Sequence, residues 1–172
     1  MADELEGFEM FEGSDQLQKI PLFRYLSFDE TTSLASLIRK EKHPAGKTIV
    51  EQGALGAALY LVVGGKVRVE RVIEVPGDLD LSDNRTEVLG HLGEGQLFGE
   101  MSLIDDMLTS ARIVSETEVE LLLIDRLPLE KLLASNDKLA VKIYRSFCWQ
   151  LSHRVRHMNE ALAVKSESNS HT

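Results

Sequence analysis

The sequence predicts an α+β fold that is mainly β: a jelly roll, or double-stranded β-helix, with helices before it and one long helix after it. Residues 46–126 contain many short runs in which apolar and polar residues alternate, and glycines interrupt these runs. Closely spaced strands of this kind, without a long helix among them, are typical of jelly rolls. Residues 136–164 then repeat apolar side chains at spacings of three and four, which predicts a long amphipathic helix.

Length and composition indicate one globular domain. The 172 residues are 43% hydrophobic, which is sufficient for a sizeable core. The domain is expected to span residues 15–164, between a flexible acidic leader at residues 1–14 and a disordered polar tail at residues 165–172. The formal net charge of −9 argues against a non-specific nucleic-acid binder, which needs a basic face.

Most of the negative charge lies at the N-terminus. Residues 1–15 hold six carboxylates and no lysine or arginine, so they contribute −6 of the net −9 and leave only −3 for the rest. The body of the protein therefore need not repel an anionic ligand. The leader is interpreted as a disordered tail; the alternative is that its apolar residues dock on a neighbouring surface. These apolar residues are Leu5, Phe8, Met10 and Phe11.

The sequence predicts a cytoplasmic protein. Cys148 is the only cysteine, so no internal disulfide forms and an oxidising compartment is not implied. The first residues include neither a basic region nor an apolar core, unlike a signal peptide. No apolar run approaches the roughly 18 residues of a membrane-spanning helix, so no membrane partner is expected.

Two N-terminal helices are predicted before the roll. The first covers residues 15–24. The second is capped by Ser27 or Asp29 and runs to about Arg39, with an apolar stripe of Leu34, Leu37 and Ile38. Residues 44–46, Pro-Ala-Gly, then break the helical pattern and begin the β structure.

A roll of about eight strands is predicted, seven of which can be placed in the sequence, and glycines mark several of its turns. Gly64 and Gly65 join two alternating runs, which favours a hairpin at that point. Residues 74–87 are predicted to form an acidic loop; their spacing resembles a calcium loop, but Asp83 and Leu89 occupy its glycine and glutamate positions, so no metal site is expected. The predicted strands are residues 48–50, 59–63, 67–70, 86–91, 95–98, 110–115 and 118–125.

A short helix at residues 127–134, with Pro128 in its first turn, precedes the long helix. The long helix bears two apolar stripes, which suggests one face on the roll and one on a second copy in a homodimer. The stripe for the roll contains Leu139, Ile143 and Phe147. The stripe for the partner, here called the apolar seam, contains Val141, Tyr144, Cys148, Leu151, Val155, Met158 and Leu162.

The stretch from Phe98 to Val114 has the chemistry of an anion and sugar site. Gly99 precedes a short helical turn, where backbone N–H groups are free to face an anion. Glu100 can accept a hydrogen bond from a sugar hydroxyl, and Ser110 can donate one to a phosphate oxygen. An ordinary joint between two strands is the structural alternative.

The same stretch resembles a known cassette. Residues 98–105 read Phe-Gly-Glu-Met-Ser-Leu-Ile-Asp, and Ser110-Ala111-Arg112-Ile113 follows. This pattern resembles the phosphate-binding cassette of cyclic-nucleotide-binding domains, the module of catabolite-activator regulators and of the regulatory subunits of cyclic-nucleotide-dependent kinases. The resemblance extends over about residues 20–160 and implies the same jelly roll.

The resemblance also implies residue roles. Gly99 would offer backbone N–H groups, and Glu100 would bind the ribose 2′-hydroxyl. The family's phosphate-gripping arginine is replaced here by Thr109, which supplies one hydroxyl and no charge, so Arg112 is the nearest candidate cation. The implied ligand-binding residues are Phe98, Gly99, Glu100, Met101, Ser102, Thr109, Ser110, Ala111 and Arg112.

Two functions follow from this interpretation. The first is a stand-alone regulatory module that binds cyclic AMP or cyclic GMP and signals through its C-terminal helix to a protein partner. The alternative is a ligand-independent protein–protein adaptor that has kept the fold. No nucleophile–base pair or nucleotide-hydrolysing loop is found, so no enzyme is expected, and no segment matches a DNA-reading domain after the long helix.

The remaining candidate sites favour structural roles. Cys148 is interpreted as a small packing residue. His153 and His157 have the four-residue spacing of helical metal ligands, but no second motif frames them, so solvated side chains are expected. Because some relatives of the family bind haem, His91 is a minor candidate for an axial ligand. No other cofactor is expected.

Overall fold

The computed structural model of the chain describes residues 20–73 and 85–169. The predicted leader, the first half of the first predicted helix, residues 74–84 of the acidic loop and the last three residues lie outside this range, and residues 20–25 form turns rather than helix. Within it, helix α1 (Phe28–Ala35) precedes eight strands. The strands are β1 (Ile38–His43), β2 (Thr48–Val50), β3 (Ala58–Gly64), β4 (Val67–Ile73), β5 (Arg85–Leu92), β6 (Leu97–Phe98), β7 (Arg112–Ser115) and β8 (Val119–Asp125). Helix α2 (Glu100–Asp105) lies between β6 and β7, and helices α3 (Arg126–Ser135) and α4 (Asp137–Asn169) follow β8.

The strands form two four-stranded antiparallel sheets, with orders β1-β8-β3-β6 and β2-β7-β4-β5. Successive strands alternate between the sheets at several points, as they do in a jelly roll. The predicted α+β fold is confirmed, including the long C-terminal helix.

The apolar pattern of the strands explains where the core lies. One cluster fills the inside of the roll, where Val67 and Leu121 are fully buried. A second cluster lies between the first sheet and the helices, and Phe23, Leu34 and Phe147 are its largest fully buried members. Burial of a side chain of this size contributes about 1.5–3 kcal/mol, so this second cluster fixes α4 against the roll.

Two predicted features differ from the structure. The second predicted helix ends at Ala35 rather than near Arg39, because residues 38–43 pair with β8 as strand β1. The capping box of Ser27 and Glu30 marks the N-terminus of this helix. At the other end of the chain, α4 continues to Asn169, so the predicted tail overlaps the helix.

The predicted hairpin at Gly64 and Gly65 is wrong. Strands β3 and β4 belong to different sheets and do not pair with each other. The reason is that the backbone of Lys66 bonds to a neighbouring corner: its N–H donates to the Thr117 hydroxyl at 3.1 Å, and its carbonyl accepts from the Glu116 N–H at 2.9 Å. The chain therefore crosses from one sheet to the other instead of folding back.

We expect Gly65→Ala to destabilise the fold strongly. Gly65 has φ of +79°, and an added Cβ would lie 2.1 Å from the Glu118 carbonyl oxygen, so the corner must move. Gly46→Ala is the matched control, because its φ is +83° and no atom lies within 4 Å of the added Cβ. Urea unfolding should show a loss of about 1–2 kcal/mol for Gly46→Ala and clearly more for Gly65→Ala. Equal losses would show that the close approach does not matter.

Candidate functional site

The predicted cassette lies at the junction of β6, α2 and α4. Phe98 ends β6, and its ring stacks on Tyr60 of β3 with ring centroids 4.7 Å apart. Burial raises the pKa of Tyr60 above its usual range. Phe98 is 3% exposed, so it acts as a packing residue that fixes the start of the cassette.

Gly99 makes the turn from β6 into α2. Its φ is +87°, a left-handed conformation, and an added Cβ would lie 2.4 Å from the Ala58 carbonyl oxygen. Only glycine combines this conformation with so close a backbone approach. The turn directs Glu100, the first residue of α2, into the protein.

Glu100 is a buried carboxylate with one occupied oxygen. Its side chain is 1% exposed, and its Oε1 accepts a hydrogen bond from Nη1 of Arg154 on α4 at 2.9 Å. Oε2 is also buried and has no hydrogen-bond partner among the described residues. A buried carboxylate oxygen without a donor costs about 1–3 kcal/mol, so this oxygen favours a ligand that brings one.

Helix α4 makes two further polar contacts at this junction. The backbone of Leu97 donates its N–H to Oε1 of Gln150 at 3.1 Å, and its carbonyl accepts from Nη2 of Arg154 at 2.7 Å. Nε2 of Gln150 is buried and lacks a partner within the described part of the chain. The junction therefore holds both an unused acceptor, on Glu100, and an unused donor, on Gln150.

Sequence reasoning did not identify Arg154. The residue continues the stripe of α4 that faces the roll, seven positions after Phe147 and four after Gln150. An arginine on a core-facing stripe requires a buried acceptor, and this requirement points to a carboxylate such as Glu100. That signal was available in the sequence.

Met101 and Ser102 have different surroundings within α2. Met101 is 44% exposed, whereas Ser102 is buried. An added Cβ on Gly56 would lie 2.3 Å from the Cβ of Ser102, so this glycine permits the close packing of α2. The Ser102 carbonyl accepts from Nη1 of Arg126 at 3.2 Å, which ties α2 to α3.

Thr109 holds the loop that precedes β3. Its hydroxyl donates to the Glu51 carbonyl at 2.5 Å and accepts from the Ala54 N–H at 3.0 Å. Its carbonyl and N–H also bond to Gly53 and Ala54. At the position where the family has an arginine, this chain thus has a residue whose hydroxyl joins two loops of the roll.

Ser110 and Ala111 follow Thr109 immediately before β7. Ser110 is exposed, and no described residue hydrogen-bonds to its hydroxyl. Ala111 is partly buried. The Ser110 hydroxyl is therefore free of hydrogen bonds to the described residues.

Arg112 forms an ion pair with Glu70 across strands β4 and β7. Its Nε and Nη2 lie 3.0 and 2.5 Å from Oε2 of Glu70, and Nε of Arg68 lies 2.5 Å from Oε1. Burial raises the pKa of Glu70, but the hydrogen bonds from Arg112 and Arg68 outweigh it and hold the pKa below its usual value. To contact a phosphate, Arg112 must give up or share this carboxylate.

The histidines considered as metal or haem ligands lie close to other side chains. The ring of His153 lies 4.1 Å from that of Trp149, and His157 lies 3.5 Å from Glu160. Nε2 of His91 lies 3.4 Å from Glu116. Within residues 20–73 and 85–169, no group of three or more His, Cys, Asp or Glu side chains is arranged to hold a metal ion. The helices of this part of the chain include none that is long and apolar enough to cross a bilayer.

The Glu70 ion pairs predict a specific acid response. Because the folded-state pKa is lowered, the contribution of Glu70 to stability is full above about pH 4.5 and is lost as pH falls through the folded-state value. At neutral pH, Glu70→Gln leaves two arginines without their carboxylate and should cost about 3–5 kcal/mol.

Urea unfolding at a series of pH values tests this expectation. The difference in unfolding free energy between wild type and Glu70→Gln should narrow as the pH falls below about 4.5. Glu87→Gln, on the exposed strand β5, is the control and should follow wild type at neutral pH. A difference that stays constant down to acidic pH would contradict the assignment.

Known proteins resemble this chain in sequence and in fold. The profile of the family described as "Cyclic nucleotide-binding domain" matches residues 40–136. A cyclic AMP receptor protein of Thermus thermophilus is 42% identical in an alignment of 118 positions that covers 63% of this chain and 51% of the receptor. A cGMP-dependent protein kinase of Drosophila melanogaster is 31% identical in an alignment of 131 positions that covers 74% of this chain and 13% of the kinase.

A solved structure extends the likeness over nearly the whole chain. The crystal structure of a cyclic nucleotide-binding domain from Methylobacillus flagellatus superposes with a TM-score of 0.73 at 26% identity, covering 94% of this chain and 85% of that one. The chain spans about half the length of the receptor and 13% of the kinase.

Proposed function

Since the chain belongs to the cyclic nucleotide-binding domain family, we propose that it is a regulatory module that binds cyclic AMP or cyclic GMP at the junction of β6, α2 and α4. The observation that carries the proposal is the unused buried oxygen Oε2 of Glu100, beside a junction where Nε2 of Gln150 also lacks a partner among the described residues. A ribose hydroxyl can donate a hydrogen bond to such an oxygen.

The proposed site offers a phosphate only neutral hydrogen-bond donors. The exposed Ser110 hydroxyl and the backbone near Gly99 supply neutral donors, whereas Thr109 and Arg112 are engaged with other residues. Loss of one charge-assisted contact costs roughly 1.5–3 kcal/mol, which corresponds to about a tenfold to hundredfold loss of affinity. We therefore expect weak binding that depends on the sugar contact.

Signalling would proceed through α4, because this helix shares Glu100 with the ligand. A hydroxyl bound at Oε2 leaves the Arg154 bond at Oε1 intact and removes the cost of the unsatisfied oxygen. Binding then stabilises the position of α4, and a protein partner responds to that position. This coupling depends on Arg154, which contacts both Glu100 and Leu97.

Calorimetric titration with cyclic AMP and, separately, cyclic GMP tests the proposed ligand. Glu100→Gln should lower the affinity for the bound nucleotide by roughly ten- to a hundredfold, because a charged acceptor becomes a neutral one. Glu94→Gln is the matched control, since Glu94 is exposed in a turn, and should bind as wild type does. Thr109→Arg should raise the affinity by a similar factor, because it adds a cationic fork for the phosphate.

Two results would contradict nucleotide binding. One is unchanged affinity in Glu100→Gln with the variant folded. The other is no heat and no change in melting temperature with either nucleotide, in both wild type and Thr109→Arg.

The second candidate function is a ligand-independent adaptor. The hydrogen bonds of Thr109 and the ion pair of Arg112 favour it, because no described cation of the cassette is left for a phosphate. Recovery of the same protein partner with and without added nucleotide would support this function over the first.

We further propose that α4 forms a homodimer through the apolar seam. Val141, Val155 and Leu162 are 68%, 54% and 62% exposed, which is unusual for aliphatic side chains at regular spacing on one helix face. Cys148, the only cysteine, is exposed on the same seam. Two copies packed in parallel and in register would bring their Cys148 residues together.

Light scattering should therefore show a dimer for wild type and a monomer for Met158→Glu, because a charge within the seam must be desolvated. Glu160→Lys, on another face of α4, is the control and should remain dimeric. A short bismaleimide should link Cys148 to Cys148 in wild type and in Glu160→Lys, but not in Met158→Glu. A monomeric wild type at high concentration, without cross-linking, would refute the dimer.

A further inference from the structure

Helix α4 has a third face that neither the core nor the apolar seam uses. Between residues 138 and 159 the helix carries five lysines and arginines and no aspartate or glutamate, although the chain has a net charge of −9. Spacings of three and four residues align six side chains on one face, here called the basic stripe. The basic stripe contains Lys138, Lys142, Arg145, Trp149, His153 and Arg156.

The segment before α1 extends the basic stripe. The guanidinium carbon of Arg24 lies 5.4 Å from the ring centroid of Trp149, and that of Arg145 lies 4.9 Å from the ring of Tyr25. Trp149 and Tyr25 remain 38% and 39% exposed. The result is a surface on which two partly exposed aromatic rings are surrounded by cations.

Most cations of this surface lack a carboxylate. Lys142 is paired with Glu30, with its Nζ 2.6 Å from Oε2. In the described part of the chain, no carboxylate lies within ion-pair distance of Arg24, Lys138 or Arg145. An acidic segment with apolar side chains matches such a surface in both charge and polarity.

The chain itself contains such a segment. Residues 1–15 have six carboxylates, no lysine or arginine, and four large apolar side chains at positions 5, 8, 10 and 11. The described structure begins at Ile20, five residues after Asp15, and the carbonyl of the next residue, Pro21, accepts a hydrogen bond from Ser146 of α4 at 3.3 Å. The described chain therefore begins beside the middle of the basic stripe.

Distances and concentration favour contact within one chain. From Arg145 to Arg156 the stripe extends about 17 Å along the helix, and an extended chain covers that distance in about five residues. A segment tethered at the surface has an effective concentration in the millimolar range, which an external acidic partner would have to exceed.

We propose that the acidic leader, residues 1–15, docks on the basic stripe of its own chain and covers Trp149. The contact combines ion pairs with packing of leader side chains against the exposed rings. It neutralises the cations of α4 and weakens as salt concentration rises. This inference does not depend on nucleotide binding.

Fluorescence quenching of Trp149, the only tryptophan, tests the proposal in the full chain. Acrylamide is the quencher because it is uncharged. The triple variant Glu9→Gln, Glu12→Gln, Asp15→Asn should raise the quenching constant roughly twofold at low salt, because the exposed indole surface is uncovered. Raising NaCl from about 0.05 to about 0.5 M should do the same to wild type but have little effect on the variant.

The matched control removes three carboxylates elsewhere. Glu87→Gln, Glu94→Gln, Glu118→Gln changes the net charge equally at exposed positions of the roll and should quench as wild type does. Arg145→Glu should also raise quenching, and adding Glu12→Lys to it should restore protection. This rescue cannot arise from damage to the fold.

Two results would overturn the proposal. One is identical quenching of wild type and the leader variant at low salt. The other is protection of Trp149 that disappears on dilution, which would place the leader on a second copy or another molecule. In support, a zero-length carbodiimide should link a leader carboxylate to Lys138 within one chain, and the leader variant should lose this link.

Discussion

The contact of α4 with the edge of the first sheet determines the geometry of the candidate site. Strand β6 has two residues and lies at the end of the sheet order β1-β8-β3-β6, so its outer side lacks a neighbouring strand. Gln150 and Arg154 supply the missing partners by bonding the N–H and the carbonyl of Leu97. An edge strand covered in this way is protected from pairing with another chain, and the cassette that follows it is held in position.

The same contact explains why a carboxylate is buried at the start of α2. Burial of an unpaired Glu100 would be costly, and Arg154 offsets the cost at one oxygen only. The residue that positions the helix and the residue that offers an acceptor are therefore coupled directly, without an intermediate chain of contacts. A single ion pair thus links helix α4 to the carboxylate of the candidate site.

The jelly roll, the cassette and the long helix could be predicted from alternating strands, from residues 98–113 and from the apolar spacing of α4. Each of these signals is a local spacing of apolar residues or a short motif, and burial of the apolar side chains selects the structure that the spacing predicts. Strand β1 could not be predicted in the same way, because Ile38–His43 is mostly charged and is extended only through its pairing with β8. The same holds for Gly65, whose corner depends on residues about fifty positions away.

Side-chain partners in the site were harder to predict than the backbone. Nothing near Thr109 or Arg112 in the sequence indicates Glu51 or Glu70, which lie on other strands and loops. Arg154 is different, since its position on a core-facing stripe implies a buried acceptor. Sequence patterns thus predicted a set of site residues, but not how many of their bonding groups are already used by other parts of the protein.

The N-terminal segment and α4 are joined by contacts of several kinds. Pro21 bonds to Ser146, Phe23 packs in one cluster with Phe147, and Glu30 forms an ion pair with Lys142. These contacts connect the beginning and the end of the described chain into a single helical layer on the outside of the roll. Rotation of α4 would accordingly carry residues 20–35 with it, so that the two segments would move together relative to the β-roll.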